Sequence, residues 1–181
     1  MKGREARPAP TAWNVAKTLL QTLVFWGFFF AFLPWLIWEV ESASGWDRYR
    51  FHSGAVRVIG AALFVCGGAC AVYCGIVLAS FGRGTPLPAD CPKQLVTVGP
   101  YGFVRNPMVI GNIIQGVGLG LVLGSPFVVA YAVLGGPFWH YLVRPWEEAD
   151  MESRLGRPYL DYRGAVRCWI PRRKPFRHTI E

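Results

Sequence analysis

The chain has 181 residues, 52% of them hydrophobic and 15% aromatic, and its mean hydropathy is positive at +0.28. That balance excludes an ordinary compact soluble domain and predicts one integral-membrane unit without a separate soluble domain. The formal net charge of +8 is unevenly placed, because Lys and Arg gather near the N-terminus and after Val143 while the apolar runs are nearly bare, so the charge sets topology.

Four segments approach the roughly 20 apolar residues that a bilayer requires. The first spans about 19–38, with Pro34 as a predicted kink whose freed carbonyl needs a partner inside the protein. Its length and the absence of a small-residue cleavage site identify a retained span, not a signal peptide. The second spans about 55–81. Its Gly60, Gly67, Gly68 and Gly75 offer surfaces for close helix approach. The third begins after Pro107 and reaches Gly124, and the fourth covers about 127–143, so only Ser125 and Pro126 separate them in a tight helical hairpin. The expected fold is therefore all-α: a membrane helical bundle of about four spans, followed by a C-terminal amphipathic helix broken at Gly156-Arg157-Pro158. As one membrane domain, residues 1–181 divide into two N-terminal spans (18–81), a catalytic region (82–171) and a basic tail (172–181).

Lys2, Arg4, Arg7 and Lys17 before the first span predict a cytoplasmic N-terminus, and an even number of crossings returns the Arg-rich tail to the same side. The basic run after Pro171 suits anionic lipid headgroups rather than nucleic acid in a chain lying mostly in the membrane. This topology gives one membrane face both the loop ending in GPYGFVRNP (99–107) and the segment starting RPWEEAD (144–150). Arg105 and Asn106 then enter near the depth where Glu147 and Glu148 emerge. Interfacial anchoring with a salt bridge is one reading. A polar ligand site is the other.

The second reading has specific chemistry. Asn106-Pro107 has the form of an N-cap followed by proline at the first helical position, leaving free backbone N–H groups beside an arginine, which suits a carboxylate or phosphate. Glu147 and Glu148 suit vicinal hydroxyls or an ammonium, while Tyr101 and Trp146 offer rings to a purine or a cation. S-adenosyl-L-methionine combines a carboxylate, an ammonium, a sulfonium and an adenosine.

The stretch KQLVTVGPYGFVRNPMVIG, then a hairpin, then EE, LG, Tyr159, Tyr162 and WIPR, resembles the isoprenylcysteine carboxyl methyltransferase family of membrane enzymes. Its NPM and EE elements are also similar to phosphatidylethanolamine N-methyltransferases. The resemblance covers about 82–171. It implies an S-adenosylmethionine site made by Lys93, Gln94, Leu95, Val96, Tyr101, Asn106, Pro107, Met108, Val109 and Glu147, to which the charge reading above adds Arg105 and Glu148; Arg144, Glu147 and Glu148 are the candidate catalytic set, and no metal is expected. Asn106 stands where the eukaryotic carboxyl methyltransferases resemble one another in having a histidine, and Val109 where they have a tyrosine; an asparagine is no general base near neutral pH. Those enzymes place a substrate-contacting arginine where this chain has Val143, and Arg144 substitutes for it if the helix unwinds at Pro145.

The implied reaction is methyl transfer from the cofactor, reached from the cytoplasm, to a lipophilic acceptor arriving through the membrane: an isoprenylcysteine-type carboxylate, a phospholipid amine or a thiol. An NADPH-dependent reductase of the sterol-reductase type and a non-catalytic membrane bundle are the competing classes. Gly116, Gly120 and Gly124 recur every fourth residue and predict close helix packing. Cys66, Cys70 and Cys74 repeat likewise and read as small apolar packing rather than a soft-metal ladder. His140 stands between a functional group and an interfacial one.

Overall fold

The computed structural model describes residues 9–86 and 90–176; Lys2, Arg4 and Arg7, on which the N-terminal topology expectation rests, lie outside the described residues, as do Arg177 and His178. The described residues are all-helical apart from loops and turns: α1 (Thr11–Trp26), α2 (Leu33–Ala43), α3 (Gly54–Gly82), α4 (Pro107–Leu123), α5 (Pro126–Phe138), α6 (Arg144–Leu155) and α7 (Arg157–Ala165). Three continuous stretches, Thr11–Ala43, Gly54–Gly82 and Pro126–Leu155, are long and apolar enough to cross a membrane. α4 is shorter at 17 residues, about 26 Å of helix at 1.5 Å per residue.

Two of these stretches are longer than the sequence predicts. The first helix begins at Thr11 and runs to Ala43, beyond both expected ends, and the fourth continues through Pro145 to Leu155 instead of ending near Val143. Both cross proline without breaking, the fourth passing Pro137 within α5 as well, and each has a π-helical turn that ends two residues before a proline: Gly27–Phe32 ahead of Pro34, and Trp139–Val143 ahead of Pro145. In the first turn the Leu33 amide reaches back five residues to the Phe28 carbonyl. Proline at the next position has no N–H to give to Phe29. The Tyr131 hydroxyl donates to that carbonyl at 3.2 Å, so the acceptor freed by Pro34 is satisfied by a side chain.

Burial is inverted relative to a soluble protein. On α1, Asn14 and Thr18 are each 1% exposed, whereas Leu20, Leu23 and Val24 are more than 60% exposed. Polar residues spaced one turn apart face inward and the apolar ones face out, the arrangement that hydrocarbon solvent favours.

Contacts divide the chain into two units. One comprises the described residues of Gln21–Ala71 and Val109–Trp139. Here α3, α4 and α5 approach backbone to backbone. A Cβ added at Gly118 would meet the Phe64 nitrogen and lie 2.6 Å from the Gly60 carbonyl oxygen, and one at Gly120 would lie 2.7 Å from the Val129 nitrogen. The hairpin glycines are thus packing positions. We expect Gly118→Ala to cost more than the roughly 1–3 kcal/mol usual for overpacking, since the backbone cannot yield as a side chain does, read as a large fall in detergent melting temperature. Gly116 is packed in the same way, since an added Cβ there would lie 2.8 Å from that of Ala132.

The hairpin turn forms as its sequence suggests. Gly124 takes φ +72°, Ser125 caps α5 by accepting from the Val128 amide at 3.0 Å, and Pro126 opens the helix. The Phe51 amide donates to the Gly124 carbonyl at 2.9 Å. Beside it the buried Glu41 carboxylate accepts from Ser125 Oγ and pairs with Arg50 Nε at 2.8 Å, and the Arg50 guanidinium lies 3.3 Å from the centre of the Trp38 ring.

The other unit comprises the described residues of Met1–Leu20, Val72–Met108 and His140–Glu181, and it carries the sequence-predicted site with the exception of Val109. Two small cores hold it: Cys74, Val77, Val96 and Tyr101, with Met108 against them, and Tyr159, Tyr162 and Val166, with Leu95 and Met151. All five cysteines are free thiols.

Candidate functional site

The loop between α3 and α4 is shaped by its backbone before any side chain acts. The amides of Lys93 and Gln94 both donate to the Gly82 carbonyl, at 2.8 and 3.3 Å, folding Lys93–Val96 back onto the end of α3. Leu95 and Val96 then enter separate cores, while Gln94 stays exposed. Gly99 adopts φ +58°, which a glycine takes without strain, and starts a short 3₁₀ turn over Gly99–Gly102. Tyr101 in that turn is 7% exposed, and its hydroxyl donates to the Cys74 carbonyl at 3.3 Å.

Beyond α7 the chain returns along this loop. The Arg105 amide donates to the Arg167 carbonyl at 3.1 Å, Arg172 to Phe103 at 2.9 Å and Phe176 to Gly102 at 2.8 Å. As one partner's number rises the other's falls, so the tail runs antiparallel to 102–105. Tyr162 adds a bond of 2.6 Å from its hydroxyl to the Tyr101 carbonyl. Asn106, immediately before Pro107 at the start of α4, donates from Nδ2 to Cys168 Sγ at 3.6 Å, and Trp169 Nε1 donates to His140 Nδ1 at 2.8 Å. His140, ambiguous in the sequence, therefore fastens the tail.

The charged centre lies where this strapped loop meets α6. Arg105 Nη1 stands 2.6 Å from Glu148 Oε1, and Arg144 Nη1 stands 3.7 Å from the same oxygen. The opposite charges expected to meet at the hairpin mouth are brought together. The helix does not unwind at Pro145 as that substitution for Val143 required: the π turn keeps it continuous, and one helical turn carries Arg144 to Glu148. Glu147 is half-buried on the adjacent face of α6, and Trp146 is 67% exposed. Pro107 is buried, Met108 packs against the Tyr101 core, and Val109 follows on α4 in the other unit.

Further partners were not legible in the sequence. Asp150 pairs with Arg154 at 2.8 Å, Arg154 also donates to the Pro92 carbonyl at 2.8 Å, and Lys17 pairs with Asp90. The Cys91 thiol lies 3.9 Å from Asp150 Oδ2; burial pushes its pKa up, Arg154 opposes this, and Asp150 adds to it. Such pairs join residues up to 73 positions apart, with no local signal to announce them.

The Arg105 guanidinium also faces the Tyr159 hydroxyl. Burial, with a smaller contribution from the Glu148 charge, pushes the Tyr159 phenol from its ordinary 10 up to about 12, and burial pushes Tyr162 in the same direction. A folded-state pKa above the unfolded value contributes stability that is complete below pH 10 and declines as pH rises toward 12. Unfolding measured across pH 9–12 should show this loss, and the Tyr159→Phe variant should flatten it.

With this geometry in place, comparison with known proteins is decisive. Residues 56–157, more than half of the chain, match the phospholipid methyltransferase family. The chain belongs to that family. Its matched region holds α4, α5, α6, the strapped loop and every candidate site residue. The phospholipid methyltransferase homologue is also similar to Protein-S-isoprenylcysteine O-methyltransferase B of Arabidopsis thaliana, 32% identical over 81 residues that cover 43% of this chain and 40% of the relative. It therefore spans less than half the length of that relative.

Proposed function

We propose that this chain is a membrane methyltransferase that uses S-adenosylmethionine and acts on a lipophilic acceptor. The observation that carries the reading is the Arg105–Glu148–Arg144 cluster, set at the start of α4 beside Glu147. The Nε–H groups of Arg105 and Arg144 are buried and have no acceptor in hydrogen-bond geometry among the described residues. Two buried guanidinium donors left over beside two carboxylates suit a ligand with an anionic end and a polyol or ammonium elsewhere.

In this reading the two arginine Nε–H groups hold the cofactor carboxylate, and Glu147 accepts from ribose hydroxyls or the ammonium. Lys93, Gln94, Leu95, Val96, Tyr101, Asn106, Pro107 and Met108 complete the site. When bound, the cofactor supplies an electrophilic methyl on a sulfonium. The chain contributes alignment and exclusion of water, and the tail strapped along 102–105 serves as cover. A carboxylate acceptor needs no base. An amine or thiol must lose a proton, and Glu147, Glu148 and Tyr101 are the local candidates to take it. We further place both termini and the site on the cytoplasmic side, with α4 as a fourth, short crossing and the basic tail against anionic lipid.

Calorimetric titration of detergent-purified protein with S-adenosylhomocysteine and, separately, NADPH tests the reading. Binding of the first alone is expected. Binding of NADPH alone would replace it with the reductase class, and binding of neither by folded protein would leave the cluster as architecture. Labelled methyl donor offered with a phosphatidylethanolamine or a prenylcysteine then separates amine from carboxylate acceptors.

A further inference from the structure

Midway along α4 the apolar surface is interrupted by two amides. Asn112 and Gln115 are three residues apart and so share a helix face. Gln115 is fully buried, and neither its Oε1 nor its Nε2 has a hydrogen-bond partner among the described residues; Asn112 Oδ1 is likewise buried without one. Each such group costs about 1–3 kcal/mol, and in the hydrocarbon region there is no bulk water to relieve it. Because both ends of the Gln115 amide are unpartnered, the argument holds for either orientation of that amide.

The surroundings define what would satisfy these groups. A Cβ at Gly68 would come within 3.0 Å of Gln115 Nε2 and 3.2 Å of the Trp26 ring, so the glycine backbone and that ring pack directly against the amide and neither supplies it a hydrogen-bond partner. Trp26 meets Phe30 edge-on at 6.3 Å. Phe30, with Pro34, Trp35, Trp38, Leu119 and Leu123, lines an apolar cleft of about 310 Å³, and Leu119 and Leu123 continue from Gln115 at successive helical turns. Residues 21–38, 58–71 and 109–139 contain no Asp, Glu, Lys, Arg or His. A hydroxyl both donates and accepts, as the two ends of the Gln115 amide require.

We propose that Asn112 and Gln115 form a polar subsite within the apolar helices, which hydrogen-bonds the hydroxyl of a long-chain alcohol-type lipid whose chain occupies the adjacent cleft. The site lies in the unit formed by Gln21–Ala71 and Val109–Trp139 and does not depend on the methyl-transfer reading.

The test uses the full chain in detergent micelles and a hexadecanol bearing a photoreactive diazirine on its chain, with labelled peptides mapped by mass spectrometry. Saturable labelling of α3 and α4 peptides is expected, displaced by hexadecanol at least tenfold better than by hexadecane or hexadecanoate. Gln115→Met, close in shape but without the amide, should weaken labelling about tenfold while holding or raising the melting temperature. Equal displacement by hexadecane would overturn the proposal, because the chain alone would then account for binding. Unchanged labelling of Gln115→Met, or a lowered melting temperature showing a structural amide, would overturn it as well. The competition on the native chain reads out even if the variant does not fold.

Discussion

Glu147→Gln is expected to weaken S-adenosylhomocysteine binding at least tenfold and to abolish measurable methyl transfer, with little change in melting temperature. Glu148→Gln, one residue away, should lower both. The difference follows from what each side chain does. Glu148 is 15% exposed, and one of its oxygens faces two guanidinium groups at 2.6 and 3.7 Å. Neutralising it leaves Arg105 and Arg144 in mutual repulsion in a desolvated place. Breaking a buried pair costs about 3–5 kcal/mol, and the residual exposure here argues for about 2–3 kcal/mol. Glu147 is half-buried on the same helix, and its charge contributes to the raised Cys91 pKa, so its carboxylate acts toward the loop that carries Cys91. Calorimetry for binding and fluorescence-detected melting for stability, run on both variants, give the two-by-two result. Equal loss of stability in both would remove the division of labour between the carboxylates.

Arg50→Ala is expected to be the most destabilising single change outside the site, by about 3–5 kcal/mol, because it strands a carboxylate that is 1% exposed. Arg50 does more than neutralise Glu41. Its Nη2 donates to the Trp38 carbonyl and to Ser42 Oγ, each at 2.9 Å, so the guanidinium closes the last turn of α2 while its face covers the Trp38 ring. Arg50→Lys keeps the charge but loses the planar fork and should recover only part of the loss. Glu41→Gln combined with Arg50→Ala should be milder than Arg50→Ala alone, since no unpaired charge remains. Equilibrium unfolding of the three variants in mixed micelles checks this order, and a double variant no better than Arg50→Ala would show that packing on Trp38, not the stranded charge, dominates.

What the sequence determined by itself is what depends on composition and short-range pattern. Apolar runs specify helices for a bilayer, Gly124-Ser125-Pro126 specifies a turn with a capped helix after it, and Gly156-Arg157-Pro158 separates α6 from α7, with Gly156 at φ +60°. The ordered GPY, NPM and EE elements carried the family, and the candidate residues were named from them. Where the helices end was decided otherwise. A proline reads locally as a break, yet π turns before Pro34 and Pro145 keep both helices whole, and the first depends on a Tyr131 hydroxyl 102 positions away from the carbonyl it satisfies. The roles within the site were tertiary for the same reason. Nothing in Glu147-Glu148 says which carboxylate bridges Arg105 and Arg144, and nothing near Asn106 points to Cys168 or near His140 to Trp169. Those choices arise when the tail lies antiparallel to 102–105 through backbone bonds, which any sequence can make and none announces.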